Sequence, residues 1–288
     1  MRASRATLPS GGAARCEARS AAGTRRSASA CCVPGAPSRE ARCATLREMR
    51  VVVLSDIHAN LVALETVLAE VPSVDGIWQL GDVVGYGPEP DAVVARLREA
   101  GAVGVRGNHD AAAVGGPEIE YFNVDARHAM EWTRACISDA TRAWLGALPE
   151  HLEREGFTLV HGSPRDPIWE YVTSTPVARA GMAAMTTAGG LHGHTHLPIA
   201  YVEEDGRLET MSPGSGSTLT FDGRRVLLNP GSVGQPRDGI PTASWMLLDT
   251  GADTATWRRT AYDVATVQAA MVGAGLPARL VARLAYGL

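Results

Sequence analysis

Cysteine is nearly absent from the part of this chain that shows any periodicity. Of five cysteines, Cys16, Cys31, Cys32 and Cys43 lie in the first 48 residues, which leaves Cys136 alone in the rest. That excludes a disulfide framework and a zinc-ribbon spacing, and makes a reducing cytoplasm the expected compartment. Lysine is missing altogether. All 27 basic residues are arginine, a bias that goes with the alanine-rich composition and carries no mechanism. No apolar run approaches the roughly 20 residues that span a bilayer, so no membrane partner is expected. Positive charge is also scarce where a nucleic acid would need it. Residues 1–48 hold nine Arg and three Glu, and from Met49 onward 18 basic residues face 28 acidic ones. The resulting net of −10 disfavours a phosphate-backbone binder.

The first 48 residues are mostly Ala, Arg, Ser, Gly and Pro, without helical or strand periodicity, and such a stretch buries too little apolar surface to order itself. Residues 1–48 are therefore expected to be a disordered or mis-assigned N-terminal extension, with Met49 the real start. A targeting segment fits less well, because scattered prolines and glycines spoil an amphipathic helix. Residues 49–288 suit one large domain.

Chemistry-bearing residues recur in one position relative to the apolar runs. Val51-Val-Val-Leu54 reads as a buried strand and leads into Asp56-Ile-His58. Gly76-Ile-Trp-Gln-Leu80 leads into Gly81-Asp82, and Ala102-Val-Gly-Val105 into Gly107-Asn108-His109-Asp110. Phe157-Thr-Leu-Val160 leads into His161-Gly162; Gly193-His194-Thr195-His196 and Asn229-Pro-Gly-Ser232 follow. A single Asp-x-His is as well explained by a capped turn with a solvated His. Repetition is what makes a site: if the runs are neighbouring strands, their carboxyl ends empty into one crevice.

Between the runs, Asn60 can cap a helix with Leu61, Leu64 and Leu68 on one face, and Asp91 opens a second. Two helices broken near Ser138-Asp139 fill Val124 to Leu148, and two more close the chain around Val264–Val272 and after Pro277. Beyond His196, Asp205-Gly206, Asp222-Gly223 and Thr250-Gly251 read as turns of antiparallel hairpins. Their strands, Ile199–Met211, Ser217–Leu228, Ser244–Leu248 and Ala255–Tyr262, are expected to build a second sheet. Ala188-Gly-Gly-Leu-His192 reads as a poor strand. The fold class expected is α/β, a four-layer α/β/β/α sandwich with two mixed sheets face to face.

The ordered set Asp56-Ile-His58, Gly81-Asp82, Gly107-Asn108-His109-Asp110, His161 and Gly193-His194-Thr195-His196 resembles the motifs of the calcineurin-like metallophosphoesterase superfamily. Asn229-Pro-Gly-Ser-Val-Gly-Gln-Pro-Arg-Asp238 resembles its prokaryotic phosphodiesterase-like branch, related to diadenosine tetraphosphatases. The resemblance covers the chain from Met49. It implies that Asp56, His58 and His196 hold one metal ion, that Asn108, His161 and His194 hold another, and that Asp82 bridges them. Mixed imidazole, carboxylate and amide donors suit two divalent transition-metal ions, manganese first, with Fe, Ni, Co or Zn as alternatives.

The same resemblance implies phosphoester hydrolysis by water activated between the two cations. His109 is placed to contact a phosphoryl oxygen or protonate a leaving alkoxide, and Asp110 to orient it, unless Asp110 only caps the helix that follows. Arg165 and Arg237 are candidate phosphate-binding residues, and equally well surface or fold-stabilising arginines. His192 reads as structural, His128 and His151 as surface residues. The expected partner is a small phosphodiester. A dinucleoside polyphosphate or a phosphoprotein would use the same ligands, whereas a non-catalytic scaffold would not need them all. Nothing in the sequence sets an oligomeric state.

Overall fold

The computed structural model describes residues 47–288. The expectation for residues 1–48 lies outside them, save for Arg47, whose amide donates to Glu155, and Glu48, which lies against Gly251.

Two mixed six-stranded sheets are built as the chain proceeds. The first takes β1 (Arg50–Leu54), β2 (Gly76–Gln79) and β3 (Val103–Gly104), all parallel, and later β9 (Thr218–Thr220), β11 (Ala243–Asp249) and β12 (Thr254–Thr260), in the order β3-β2-β1-β11-β12-β9. The second takes β4 (His151–Arg154), β5 (Phe157–Val160), β6 (Gly189–Leu191), β7 (Pro198–Glu204), β8 (Arg207–Met211) and β10 (Arg225–Pro230), in the order β4-β5-β6-β10-β7-β8. Here β5, β6 and β10 run parallel.

The sheets face each other across one apolar core. Val51, Val53, Trp78 and Met246 of the first meet Phe157, Leu159, Leu191 and Leu228 of the second. Helices α1 (Leu61–Glu70) and α2 (Pro90–Glu99) cover the outer face of the first sheet through Leu64, Val67, Val94 and Leu97. The short α3 (Asn108–Ala113), then α4 (Val124–Cys136) and α5 (Asp139–Ala147), complete that layer. On the other outer face α6 (Thr175–Ala184) sets Ala178 and Met182 against Tyr201 and Leu227. At the end α7 (Val264–Gly273) and α8 (Ala278–Arg283) pack with α4 and Tyr86. The result is the four-layer sandwich. Among the described residues no helix is long and apolar enough to cross a membrane.

Three local expectations need correction. The β11–β12 hairpin belongs to the first sheet, where β11 pairs antiparallel with β1 and sets Met246 and Leu248 on the inner core and Trp245 on the helix side. The Asp222-Gly223 turn joins no hairpin: β9 pairs with β12 in one sheet and β10 with β7 in the other, so the turn hands the chain across the core. Gly189 and Gly190 are a genuine inner strand. A Cβ on Gly189 would stand 2.3 Å from the Phe157 ring, and one on Gly190 2.6 Å from Met185 Sδ, so bulk comes from neighbours on both faces.

Candidate metal centre

The parallel strands of both sheets end at one edge, and the loops that leave β1 and β2 are laced together there. The amides of Asp56, His58 and Ala59 donate to the carbonyls of Gly81, Asp82 and Val83. The lacing accompanies left-handed backbone at Asp56, His58 and Asp82, with φ of 51°, 49° and 52°, and His194 and His196, in the loop after β6, adopt it too at 66° and 60°. Side chains rarely adopt such a backbone without a functional reason, and here it turns five of the seven expected ligands inward. Gly107 allows the approach of the third loop, since a Cβ there would lie 2.1 Å from Asp82 Oδ1.

The buried side chains fall into two groups that share Asp82. Donor atoms of Asp56, His58, Asp82 and His196 lie within 4.8 Å of one another, and so do those of Asp82, His161 and His194. In the first, His58 Nε2 is 3.1 Å from His196 Nε2 and 3.6 Å from Asp82 Oδ2, and His196 Nε2 is 3.3 Å from Asp56 Oδ1. In the second, His161 Nε2 lies 3.0 Å from His194 Nδ1, 3.1 Å from Asn108 Oδ1 and 3.3 Å from Asp82 Oδ2. All seven expected ligands are therefore brought together, in the two groups that the resemblance implies.

Carbonyl acceptors fix which nitrogen points inward. Nδ1 of His58, His161 and His196 donates to Val84, Leu80 and Gln235 respectively. Each ring thus turns its Nε2 to the centre, as a free lone pair at His58 and His196, the usual way a protein prepares histidine for metal. Burial first holds His58, His194 and His196 well below the ordinary imidazole value, so they are neutral. Two such lone pairs facing each other at 3.1 Å repel unless a cation or a proton lies between them. Asp56, pushed up to about 7 by burial and then by Asp82, also lacks compensating charge. At His161 burial is outweighed by Asp82, which raises the imidazole to about 9 and is itself held well below the carboxylate range. One proton here does what a divalent cation would do better, and the donor set fits two transition-metal ions.

His109 borders the first group. Its ring is buried 4.9 Å from that of His58, between Tyr86 at 4.4 Å and Phe122 at 4.5 Å, and its Nδ1 has no partner. Burial lowers it to about 4, so at neutral pH it is an uncharged N–H donor. Asp110 does not orient it. The amides of Val84 and Gly107 take both carboxylate oxygens, which makes Asp110 the cap of α3 and the clamp on the Val84 loop.

The two arginines part company. Arg165 is exposed and paired with Glu170 through Nε at 2.7 Å and through Nη2, a surface fork. Arg237 is partly buried, its guanidinium 5.9 Å above the Tyr86 ring, with Nη2 on Gln235 and Nε without a partner. Its charge acts on Asp56, His58, His109, His194 and His196. His192 is fully buried beside Asn229, whose amide also ties Gly193 and Thr195 in place. Sequence reasoning passed over Tyr86 and Tyr171. The latter stacks on His194 with ring centroids 3.7 Å apart. The flanking glycines of Gly85-Tyr86-Gly87 were the only hint of the first, and nothing marked the second.

Comparison with known proteins agrees with this geometry. The Calcineurin-like phosphoesterase superfamily domain matches residues 49–253. An uncharacterized protein of Methanocaldococcus jannaschii is 34% identical over 246 residues, which are 82% of this chain and 98% of that one. The crystal structure of a metallophosphoesterase from Sphaerobacter thermophilus is 41% identical, with a TM-score of 0.77 over 84% of this chain and all of that one. A hypothetical protein from Pyrococcus horikoshii shares the fold at 20% identity, with a TM-score of 0.67 over 83% of this chain and 98% of its own. With the ordered ligand set, the sandwich and these relatives in agreement, the chain belongs to the calcineurin-like phosphoesterase superfamily.

Proposed function

We propose that this chain hydrolyses small phosphodiesters with two divalent transition-metal ions, manganese foremost, held by Asp56, His58 and His196 on one side and Asn108, His161 and His194 on the other, with Asp82 between. The observation that carries the reading is the shared Asp82, clustered with His58, His161 and His196, whose Nδ1 atoms each meet a backbone carbonyl. When bound, such a pair of ions activates water and offsets charge on the phosphoryl oxygens. The protein does the rest. The neutral His109 donates to a phosphoryl oxygen, Tyr86 and Phe122 hold its ring and keep water from it, and Arg237 adds one positive charge at the rim.

Charge supports a diester over a monoester. The dianionic phosphate of a monoester calls for additional cations. Arg165 is committed to Glu170, which leaves Arg237 of the two candidates. The net of −10 from Met49 onward disfavours long nucleic acids. The test is a parallel rate comparison with manganese of bis-nitrophenyl phosphate, nitrophenyl phosphate, a cyclic nucleotide, diadenosine tetraphosphate and a phosphopeptide. Diesters are expected to lead. Turnover of the monoester or phosphopeptide well ahead of every diester would move the protein to the phosphatases.

A further inference from the structure

One of the ligand histidines is held differently from the rest. His58, His161 and His196 each set Nδ1 on a backbone carbonyl, whereas His194 turns Nδ1 to His161 and leaves its outer Nε2 buried without a partner. The terminal torsion of an imidazole is broad, so a ring without that hydrogen bond turns freely unless something else fixes its plane. What lies on it is Tyr171. The two rings are stacked, with centroids 3.7 Å apart and planes inclined by 26°.

A short loop delivers Tyr171 to that place. After β5 the amides of His161 and Gly162 both donate to the Pro167 carbonyl, at 3.1 and 2.6 Å, and Ser163 exchanges backbone hydrogen bonds with Asp166, so the chain folds back on the strand end. Glu170 is tied to Ser163 Oγ and to the Arg165 fork, so the surface pair pins the loop just before Tyr171. The Tyr171 side chain does not fill a core, because the residue is 48% exposed. Among the described residues its hydroxyl has no hydrogen-bond partner. Burial first, then the charges of Arg237, Asp82 and Asp56 among others, act on that hydroxyl, which stands between the metal centre and solvent.

Arg237 stands over the other group of ligands. Gln235, two residues before it, accepts from His196, and the Arg237 guanidinium lies over Tyr86, whose ring meets that of His58. The opening is thus flanked by a cation at the Asp56, His58 and His196 group and by a phenol at the Asp82, His161 and His194 group. A phenol is a neutral O–H donor throughout the neutral range.

We propose that Tyr171 is a positioning residue of this centre, whose stacked ring fixes the plane of His194 for the second ion and whose hydroxyl donates to an oxygen of the phosphoester. The hydroxyl half rests on the phosphoesterase reading; the ring half rests only on the metal centre. A neutral donor here also matches a singly charged diester, since it adds no cation for the dianionic phosphate of a monoester.

Manganese alone is the probe for the ring, titrated calorimetrically into EDTA-treated full-length protein. Tyr171→Ala should weaken one of the two ions about ten-fold or more, the scale of a lost outer partner of a ligating histidine. Tyr171→Leu, which keeps apolar bulk without a planar ring, should lose manganese in the same way, whereas Tyr171→Phe should bind both ions as the wild type does. Thermal melts of the metal-free variants establish that the fold is kept. For the hydroxyl, kcat/KM for bis-nitrophenyl phosphate at saturating manganese should fall at least about five-fold in Tyr171→Phe, the scale of one lost hydrogen bond. Unchanged manganese affinity in the Ala and Leu variants, or an equal loss in the Phe variant, would overturn the orienting ring. Unchanged kcat/KM in the Phe variant would overturn the donor. Absence of turnover by the wild type would instead overturn the phosphoesterase reading, while the titration still reports on the ring.

Discussion

His109 has a buried Nδ1 without a partner and a ring pressed between Tyr86 and Phe122, which fixes where its other nitrogen can act. Since burial lowers it to about 4, it would meet a substrate as a neutral donor rather than as an imidazolium. His109→Ala should therefore slow hydrolysis of bis-nitrophenyl phosphate by roughly 10²-fold even though nitrophenolate leaves without a proton, the scale of one lost donor at a developing charge. Metal content should not change. An effect seen only with poor leaving groups would return His109 to the role of acid, and a loss of metal would make it a ligand. Asp82 differs in kind, because both donor groups depend on it. Asp82→Asn should reduce metal from about two ions per chain to less than one, read by elemental analysis. That a site lies here was legible because Asp, Asn and His recur at strand ends, whereas the choice of seven expected ligands, Asn108 over His109 among them, came with the family resemblance. Asp110 was half legible: its capping role follows from its place three residues after Gly107, whereas only coordinates show that both its oxygens are used there. Tyr171 and Tyr86 were not legible, since an aromatic residue looks the same in sequence whether it fills a core or lies on a ligand.

Loops that carry the ligands are positioned by backbone contacts too close for any side chain. The segment from Asn229 to Asp238 docks on the end of β1 through Val233 N to Ser55 O, Gly234 N to Asp56 O and Asn60 Nδ2 to Gly234 O. A Cβ on Gly234 would stand 1.8 Å from the Ile57 carbonyl oxygen, where nothing flexible can yield. Gly234→Ala should cost about 1–3 kcal/mol in a denaturant melt and loosen metal, because the displaced loop takes the Gln235 carbonyl from His196. Gly146→Ala, in α5 with nothing within 4 Å of the new Cβ, should instead stabilise by roughly 0.4–1 kcal/mol. If both changes had the same sign, the docking argument would be wrong. Strands and helices were largely readable from periodicity and turn residues, and α4, α5, α7 and α8 fall where capping and breaks put them. Sheet membership was not. Local pattern reports which face a strand buries, but β11 joins β1 and β9 leaves β10 because of partners far away in the sequence. For the same reason the two glycines of β6 looked unlike a strand until Phe157 and Met185 were seen to fill their place.

At the scale of the whole molecule, the metal centre is a cluster of buried ionisable groups at the joint between two sheets, so its proton balance reaches global stability. His161 is raised to about 9 by Asp82, and a group whose folded value lies above its unfolded value of 6.5 contributes stability that is present below pH 6.5 and is lost as pH rises through 9. Asp56, raised to about 7, works in the same direction at lower pH, its contribution being lost between 3.8 and 7. The neutral imidazoles of His58, His194 and His196 work oppositely, since protonating their unfolded counterparts below pH 6.5 draws the chain toward unfolding. In the window from pH 7 to 9 these other terms are spent and His161 decides. Protein stripped of metal should therefore melt at progressively lower temperature as pH is raised from 7 to 9, when Asp82 loses the proton that its neighbour holds. A divalent cation such as manganese would supply the missing positive charge without a proton, so the metal-loaded protein should lose less. The gap between the two melting temperatures should widen by a few degrees across the window, given that each kcal/mol moves a domain of this size by roughly 2–4 °C. Calorimetric scans of EDTA-treated and manganese-loaded protein at pH 7, 8 and 9 measure it. A gap that stays constant or narrows would mean that His161 is already neutral without metal, and that Asp82 is balanced by some other charge.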